Sequence, residues 1–342
     1  MSNLITPIID VVIPVYNAPE LTRRCIDSVV AHLGASIRTI HIQNDASAEE
    51  TRTMLDRLTY PQVQIFHAPV NQGYGRSVND AMARSDAELV LVLNSDSEVT
   101  ANFLPLLCNA LAADSKLAVI NPTEGEMPRG TANRYLQQPG GYIETYRFRG
   151  YAFLIRHAVF QALGGFDVQF ERGYYEDTDL GRRLEQQGWR MGIHPQAAIK
   201  HKIGASFGRG RPYLELVRKN RNLYLSRYPR ARQNVLVVSG VSTLTGLPLP
   251  AVDAIEQVMR QGGRVEWLTP ESLPQLSCLQ MRNSKIRSNR IIKLMVRGWS
   301  RKDKRVTDLW FFPGTAIWLR WLLRIWARLR GIRIREWEAA VS

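Results

Sequence analysis

Apolar runs of strand length alternate with stretches of helical periodicity through the first 229 residues. The strand-like runs are IIDVVIPVY, SIRTIHIQ, VQIFHA and ELVLVLNSD. The helical stretches are 19–33, 48–58 and the residues between NQGYG and Ala83. Strands and helices that alternate at this spacing predict an α/β fold with a mostly parallel, doubly wound central sheet flanked by helices.

Polar side chains follow three of these strand-like runs. Tyr16 and Asn17 come after the first, Asn44 and Asp45 after the second, and residues 94–96 after the fourth. Ligands of open parallel sheets bind at the carboxyl ends of the strands. We therefore expect a binding cleft where these side chains meet.

The pattern predicts three parts. A first domain covers 1–229, and a small β-α-β annex covers 230–280, where NVLVVSGVS, AVDAIEQVMRQ and RVEWLTP follow one another. A basic segment with amphipathic helices covers 281–342. Within the first domain, 122–149 has no clear period, and a connection that long predicts a lid over the cleft.

Composition narrows the chemistry. The chain has 342 residues and three widely separated cysteines, Cys25, Cys108 and Cys278, so neither a disulfide framework nor a zinc site is indicated. The N-terminus has no basic segment before its apolar run, which reads as a first strand and not as a signal peptide. These features favour the cytoplasm.

The net charge of +14 is concentrated near the C-terminus. The segment from Arg282 to Arg335 contains 16 Lys and Arg but only two acids, Asp303 and Asp308, so it carries the whole excess. Such a segment favours an anionic partner. No recognised nucleic-acid-binding module accompanies it, and we expect no nucleic acid.

One helix in this segment is amphipathic. In GTAIWLRWLLRIWARLRG, Arg320, Arg324 and Arg328 form a narrow stripe, while Trp318, Trp321 and the aliphatic residues cover the rest. The helix is too short and too charged to span a bilayer, and its pattern favours lying on an anionic membrane surface. Packing on the catalytic domain or on a protein partner is the alternative.

Three motifs carry candidate chemistry. Asn94-Ser95-Asp96 places two oxygen-bearing side chains on one side of a strand end, which suits a hard divalent cation, although a plain polar turn has the same pattern. Asp45 precedes a possible helix-capping box of Ser47 and Glu50 and is not needed for that cap. NQGYGRSVN is a glycine-rich turn into a helix, where backbone N–H groups can approach an anion.

Candidate chemistry is also present in a fourth motif, the acidic stretch YYEDTD. Asp177 and Asp179 suit the start of a helix predicted over 178–187, where Arg182 and Arg183 can pair with them. Glu176 lies ahead of that helix and is less easily explained as a helix-start acid.

These motifs occur in a distinctive order. VVIPVYN, NDASAEET, NQGYGRSVN, LNSDSEV, GGFDVQFERGYYEDTDLGRRLEQQGW, HKIGASFG and RKNRNLYLSRYP resemble glycosyltransferase family 2, the inverting enzymes of GT-A fold. The resemblance covers residues 8 to about 229. Within the family, the chain resembles bacterial rhamnosyl- and galactosyltransferase-like enzymes of cell-surface polysaccharide synthesis.

The resemblance implies roles for individual residues. Asp177 matches the catalytic base, and Asp96 and His201 match the ligands of a divalent metal, Mg²⁺ or Mn²⁺. Asn94 departs from the usual DxD motif. The residues expected to bind the donor nucleotide are Pro14, Tyr16, Asn17, Asp45, Asn71, Gly73, Arg76 and Asn94. The residues expected in the sugar and acceptor pocket are Gly150, Glu176 and Asp179, and the two acids should raise the proton affinity of Asp177.

The implied activity is inverting, metal-dependent transfer of a sugar from a UDP- or dTDP-sugar to a polyprenyl-diphosphate-linked glycan, as in O-antigen or capsule synthesis. Together with the basic segment 281–342, the implied activity predicts a peripheral membrane protein on the cytoplasmic face of the inner membrane. The alternative is a catalytically inactive scaffold that retains a nucleotide-sugar fold and binds a membrane surface or nucleic acid.

Overall fold

The computed structural model describes residues 7–124, 138–202, 210–241, 246–272, 280–296 and 305–338. The chain divides into two compact units, 1–224 and 225–342. The boundary lies within a helix, five residues before the predicted domain end at 229.

The first unit is an α/β structure. Its strands are β1 (Ile9–Val15), β2 (Ile40–Asn44), β3 (Val63–His67), β4 (Leu89–Leu93), β5 (Ser97–Val99), β6 (Leu117–Glu124), β7 (Ile143–Thr145), β8 (Ala152–Arg156) and β9 (Arg190–His201). Its helices are α1 (Pro19–Leu33), α2 (Glu49–Asp56), α3 (Tyr74–Met82), α4 (Leu104–Ala113), α5 (His157–Ala162), α6 (Glu176–Gln186) and α7 (Arg211–Arg227), the last of which extends into the second unit.

The strands form one sheet in the order β3-β2-β1-β4-β8-β6-β9-β5, and β7 pairs with β9. The strands from β3 to β4 are parallel, while β8 runs antiparallel to both of its neighbours. The parallel strands bring the loops after β1, β2 and β4 to one edge. The predicted α/β fold is confirmed, and its parallel part is the one that forms the cleft.

Both faces of the sheet are covered. In β4, Leu89, Leu91 and Leu93 join the apolar cluster that contains α1 and α4, whereas Val90 and Val92 join the cluster that contains α3 and α6. Strand side chains alternate between faces, so a continuous apolar run is the pattern of a strand buried on both sides. This burial gives the adjoining loops a rigid base.

The second unit has its own parallel sheet, in the order β12-β11-β10-β13-β14. Its strands are β10 (Asn234–Val238), β11 (Arg264–Thr269), β12 (Met281–Lys285), β13 (Asp308–Phe311) and β14 (Arg333–Glu336). Its helices are α8 (Leu249–Arg260), α9 (Ser288–Val296) and α10 (Ile317–Arg330).

This sheet differs from the predicted division at residue 280, because strands from both sides of that position pair in it. β12 and β14, with the sequences MRNSK and RIRE, are its edge strands. Edge strands tolerate charged side chains, so they lack the apolar signal by which the buried strands were predicted. The basic segment is thus part of a folded α/β unit.

Helix α10 packs on this sheet through Leu319, Leu323 and Trp326, which are buried in one apolar cluster. Arg320 and Arg324 form ion pairs with Glu336 of β14, and both lie over the ring of Phe311. Two arginines of the predicted stripe therefore pair within their own unit. No helix in the described part of the chain combines the length and apolarity that crossing a bilayer requires.

Candidate functional site

A cleft lies at the carboxyl ends of β1, β2 and β4. It is lined by Pro14, Val15, Tyr16, Asp45, Asn71, Gly73, Tyr74, Ser77, Asn94, Ser95 and Arg172. Six of the eight residues predicted for the donor nucleotide are among them: Pro14, Tyr16, Asp45, Asn71, Gly73 and Asn94. The cleft lies at the carboxyl ends of the strands, where the sequence pattern predicted a ligand site.

Asp45 holds the glycine-rich turn against the end of β2. Its buried carboxylate accepts hydrogen bonds from the backbone N–H groups of Gln72, at 2.7 Å, and Gly73, at 2.9 Å. Gly73 has φ of 87°, and a side chain there would meet the backbone of Arg172 at 2.6 Å. Only glycine combines this φ with the absence of a side chain. The turn that Asp45 holds forms one wall of the cleft.

Asn17 and Arg76 do not line the cleft. The Asn17 N–H donates to the Ser47 hydroxyl at 2.8 Å, and its side-chain oxygen accepts from the N–H of Ala48 at 2.9 Å, so Asn17 ties together the turns after β1 and β2. Helix α2 begins at Glu49 without a side-chain cap, because its N-cap residue is Ala48 and Ser47 lies one position too early. The capping box was therefore a wrong alternative. Arg76 is exposed on α3.

The Asn94-Ser95-Asp96 turn lies beside His201, because β5 and β9 pair with Ser97 opposite His201. His201 Nε2 is 3.2 Å from Asp96 Oδ1, and its ring stacks on Tyr151 at 4.6 Å between centroids. Among the described residues, the buried Asn94 Oδ1 and Asp96 Oδ1 accept no protein hydrogen bond. Orphaned buried oxygens of this kind fit a cation.

Asp96 and His201 are the two described side chains that match the metal ligands implied by the resemblance. No group of three His, Cys, Asp or Glu converges there or elsewhere in the described ranges. A divalent ion held by Asp96 and His201 needs further oxygen ligands, which water and substrate phosphates supply in sites of this kind. Most of the HKIGASFG motif and residues 125–137 of the predicted lid lie outside the described residues.

Asp177 lies beside Gly150. Its Oδ2 accepts from the Gly150 N–H at 3.1 Å, and its Oδ1 accepts from the backbone N–H and the hydroxyl of Thr178, at 2.6 and 3.1 Å. The Tyr74 hydroxyl donates to the Gly150 carbonyl at 2.5 Å. A side chain at Gly150 would approach the Asp177 Cβ to 3.1 Å. The carboxylate is thus oriented by a close backbone contact.

Tyr74 links the two halves of the site. Burial raises the pKa of its phenol well above the ordinary value, and the charges of Glu176, Asp177 and Asp96 raise that pKa further. Two backbone contacts join these halves: the Asn94 N–H donates to the Tyr151 carbonyl at 2.8 Å, and the N–H of Gly150, the residue before Tyr151, donates to Asp177. The base predicted on α6 and the metal ligand predicted after β4 therefore face the same region.

Glu176 begins helix α6, two residues earlier than predicted, because Tyr175 before it adopts a left-handed conformation and starts the helix. It is buried beneath Tyr74 and Gly75. Burial raises the pKa of the Glu176 carboxyl well above its ordinary value, and the charge of Asp177 adds to the effect. This environment favours the protonated form of Glu176, which weakens the charge repulsion that we expected it to exert on Asp177.

Asp179 has a different environment from the one expected of a pocket residue. It is 1% exposed and pairs with Arg183 at 2.8 Å. Arg183 also donates to the carbonyls of Leu163 and Gly165. Asp179 therefore connects α6 to the loop after α5, and its charge is balanced there.

The segment before α6 has an unusual backbone that the sequence patterns did not indicate. Residues 172–175 all have positive φ, at 59°, 127°, 71° and 77°. The buried side-chain amide of Asn220, on α7, donates to the carbonyls of Glu171, Gly173 and Tyr174 at 3.1, 2.8 and 3.1 Å. This arrangement places Arg172 at the cleft and Glu176 at the helix start.

Arg172, Tyr74 and Asn220 are the site residues that sequence reasoning missed. All three lay inside quoted motifs without an assigned role, and Arg172 and Asn220 are brought to the site by backbone conformation and tertiary contact. No spacing in the sequence signals such contacts.

Some known proteins have sequences related to this chain. Residues 10–166 match the sequence profile described as Glycosyl transferase family 2. The O-antigen biosynthesis protein RfbC of Myxococcus xanthus is 25% identical over 235 residues, which are 59% of this chain and 18% of that protein. The succinoglycan biosynthesis protein ExoO of Rhizobium meliloti is 27% identical over 116 residues, 34% of this chain and 33% of that protein. The chain spans less than two thirds of the length of these relatives.

Solved structures share the fold of the first unit. The mannosyltransferase PcManGT from Pyrobaculum calidifontis, in complex with GDP-Man and Mn²⁺, has a TM-score of 0.52 at 18% identity and covers 66% of this chain and 64% of its own. GalNAc-T7 with UDP, GalNAc and Mn²⁺ has a TM-score of 0.53 at 14% identity, over 66% of this chain and 52% of its own. Residues 10–166 are therefore similar to glycosyltransferase family 2, and the chain shares the GT-A fold of these solved structures over 66% of its length.

Proposed function

We propose that this chain transfers a sugar, with inversion at the anomeric carbon, from a UDP- or dTDP-sugar to a hydroxyl of a lipid-linked glycan. The observation that carries the proposal is a set of contacts at the cleft: Tyr74, which lines it, donates to Gly150, Gly150 donates to Asp177, and Asn94 donates to the adjoining Tyr151. The names of the relatives in O-antigen and succinoglycan biosynthesis support a role in polysaccharide synthesis.

The proposed reaction needs one base. Asp177 accepts the proton of the acceptor hydroxyl while that oxygen bonds to the anomeric carbon from the face opposite the departing nucleoside diphosphate. The hydrogen bonds from Gly150 and Thr178 keep the carboxylate in one orientation. Since a single displacement inverts the centre, the site requires no second carboxylate as a nucleophile.

Asp96 and His201 would hold the divalent cation that the family implies. Such an ion, Mg²⁺ or Mn²⁺, offsets the charge that develops on the leaving diphosphate. Arg172, which lines the cleft, adds a positive charge of the protein's own on the donor side. Asp45 acts indirectly, because its carboxylate is already bound to the turn that faces the nucleotide.

Substituting Asp177 and Glu176 one at a time distinguishes the proposed catalytic base from the neighbouring acid. Asp177→Asn should lower kcat by 10³-fold or more, about the contribution of a positioned general base, while donor binding measured by calorimetry stays near the parental value. Glu176→Gln is the matched control, because it imitates the neutral acid already present, and it should retain most of the transfer activity.

The measurement uses a panel of UDP- and dTDP-sugars with Mn²⁺ or Mg²⁺ and a diphosphate-linked acceptor, with product stereochemistry read by NMR. Retained transfer in Asp177→Asn, or a retained anomeric configuration, would exclude this mechanism. Nucleotide binding without transfer from any donor would favour the inactive scaffold.

A further inference from the structure

Helix α10 has a second apolar side, directed away from the sheet. The exposed residues are Ile317, Trp318, Trp321, Leu322, Ile325 and Leu329. The two tryptophans are 58% and 61% exposed, although burying an aromatic side chain of this size is among the largest stabilising contributions available to a protein. The helix is therefore apolar both toward its own core and toward the exterior, which marks an interaction surface.

Helix α9 extends this surface. It packs in the same apolar cluster as α10, and the Trp326 indole N–H donates to the Met295 carbonyl at 3.1 Å. Its outer side exposes Ile292 and Val296. We call the exposed apolar residues of α9 and α10 together the outer helix surface.

The charged residues within α9 and α10 are all basic. Neither α9 nor α10 contains an acidic residue. Lys293 and Arg328 are exposed on the two helices, and Arg287 is exposed just before α9. Arg320 and Arg324, in contrast, are paired with Glu336. Arg328, the last member of the predicted stripe, is thus exposed to a partner together with Lys293 and Arg287.

We propose that the outer helix surface binds an anionic phospholipid membrane. A 14-residue helix is about 21 Å long, and lying parallel to the bilayer it would place the indoles of Trp318 and Trp321 among the headgroups, with the basic side chains on lipid phosphates. A second copy of the chain fits less well, because a two-fold contact would bring Lys293 and Arg328 of both copies together.

This inference goes beyond the proposed transfer reaction and does not depend on it, since binding to vesicles requires neither donor nor acceptor. The test is co-sedimentation of the full chain with phosphatidylcholine vesicles that contain or lack phosphatidylglycerol. We expect binding to the anionic vesicles and weak binding to the neutral ones. Trp318→Ser with Trp321→Ser should lower the partition coefficient about tenfold or more. Lys293→Glu with Arg328→Glu should weaken binding to the anionic vesicles and reduce its salt dependence.

The matched control is Leu249→Ser. Leu249 is 78% exposed on α8, a helix that contributes none of the described side chains of the cluster joining α9 and α10. This variant should bind as the parent does. Thermal unfolding checks that every variant is folded, and transfer to a water-soluble acceptor by the double tryptophan variant should be unchanged.

Three outcomes would overturn the proposal. One is equal binding to neutral and anionic vesicles. Another is parental binding by a folded double tryptophan variant. The third is a parent dimer in solution that the tryptophan substitutions convert to monomer without any vesicle binding, which would assign the surface to a second copy.

Discussion

At the residue scale, the three acids at the start of α6 differ in environment although they lie within four positions. Burial raises the pKa of Glu176, the charge of Asp179 is balanced by Arg183, and the half-buried Asp177 is held by Gly150 and Thr178. Burial and partners, not sequence position, therefore single out Asp177 as the acid available for proton transfer.

The buried Glu176 predicts how stability depends on pH. Its folded pKa is raised above the unfolded value of about 4.3, so the unfolded chain releases a proton that the folded chain retains, and this group lowers stability increasingly as pH rises above about 4.3. Glu176→Gln removes that dependence. Its melting temperature relative to the parent should therefore increase from acidic to mildly alkaline pH. Parallel melting curves across the series would contradict the assignment.

At the element scale, the segment between α5 and α6 is positioned by α7. Four successive residues with positive φ, three of them not glycine, are unfavourable by themselves and persist only where surrounding contacts determine them. Asn220 supplies such contacts through three carbonyls. We infer that Asn220 positions both Arg172 and the start of α6.

Asn220→Ala should destabilise the chain by about 1–3 kcal/mol, because it leaves buried carbonyls without donors. In the folded protein it should also lower kcat about tenfold or more through displacement of Asp177. Denaturant unfolding and steady-state kinetics at a temperature where the variant is folded measure the two effects separately. Asn222→Ala, at an exposed position of the same helix, is the control. Normal kcat in folded Asn220→Ala would limit this residue to a structural role.

Much of the fold follows from pattern, and much of the site does not. The continuous apolar run Leu89–Leu93 predicted a buried strand. The polar residues that end the strands predicted which edge of the sheet has the cleft. Arg172 could not be predicted, because positive φ at Arg172, Tyr174 and Tyr175 depends on Asn220 nearly 50 residues later.

Tertiary contact likewise decides which side of α10 is buried, and helical periodicity alone did not predict that the helix has two apolar sides. Helical spacing identifies which residues are apolar, but the sheet decides that Trp326 is buried while Trp318 and Trp321 are exposed.

At the scale of the whole molecule, resistance to acid depends on a buried carboxylate at the end of the sheet away from the cleft. Asp10 is fully buried in β1 and accepts hydrogen bonds from Arg38 and Ser85, with His41 at 3.2 Å. Burial alone would raise the pKa of Asp10, but these partners together hold it below the ordinary value. The first unit therefore gains stability from the ionised form.

Asp10→Asn should lower the free energy of unfolding by about 2 kcal/mol at neutral pH, since a buried charge pair loses one member while the partner Arg38 stays partly solvated. The stabilisation by Asp10 is present above its unfolded pKa of about 3.9 and is lost as pH falls through the lower folded pKa. Denaturant unfolding at several pH values should thus give curves for parent and variant that approach each other in acid. A constant difference would refute this origin, and substrate KM should be unaffected.

The placement of the tryptophans gives the molecule a built-in optical probe. Seven of its eight tryptophans follow residue 224, and the other, Trp189, lies on the first unit. Intrinsic fluorescence therefore reports mainly on the second unit, and the emission of the solvent-facing indoles at 318 and 321 depends on the polarity around them. Transfer of these rings from water to a less polar medium would be visible as a blue shift, without any attached dye.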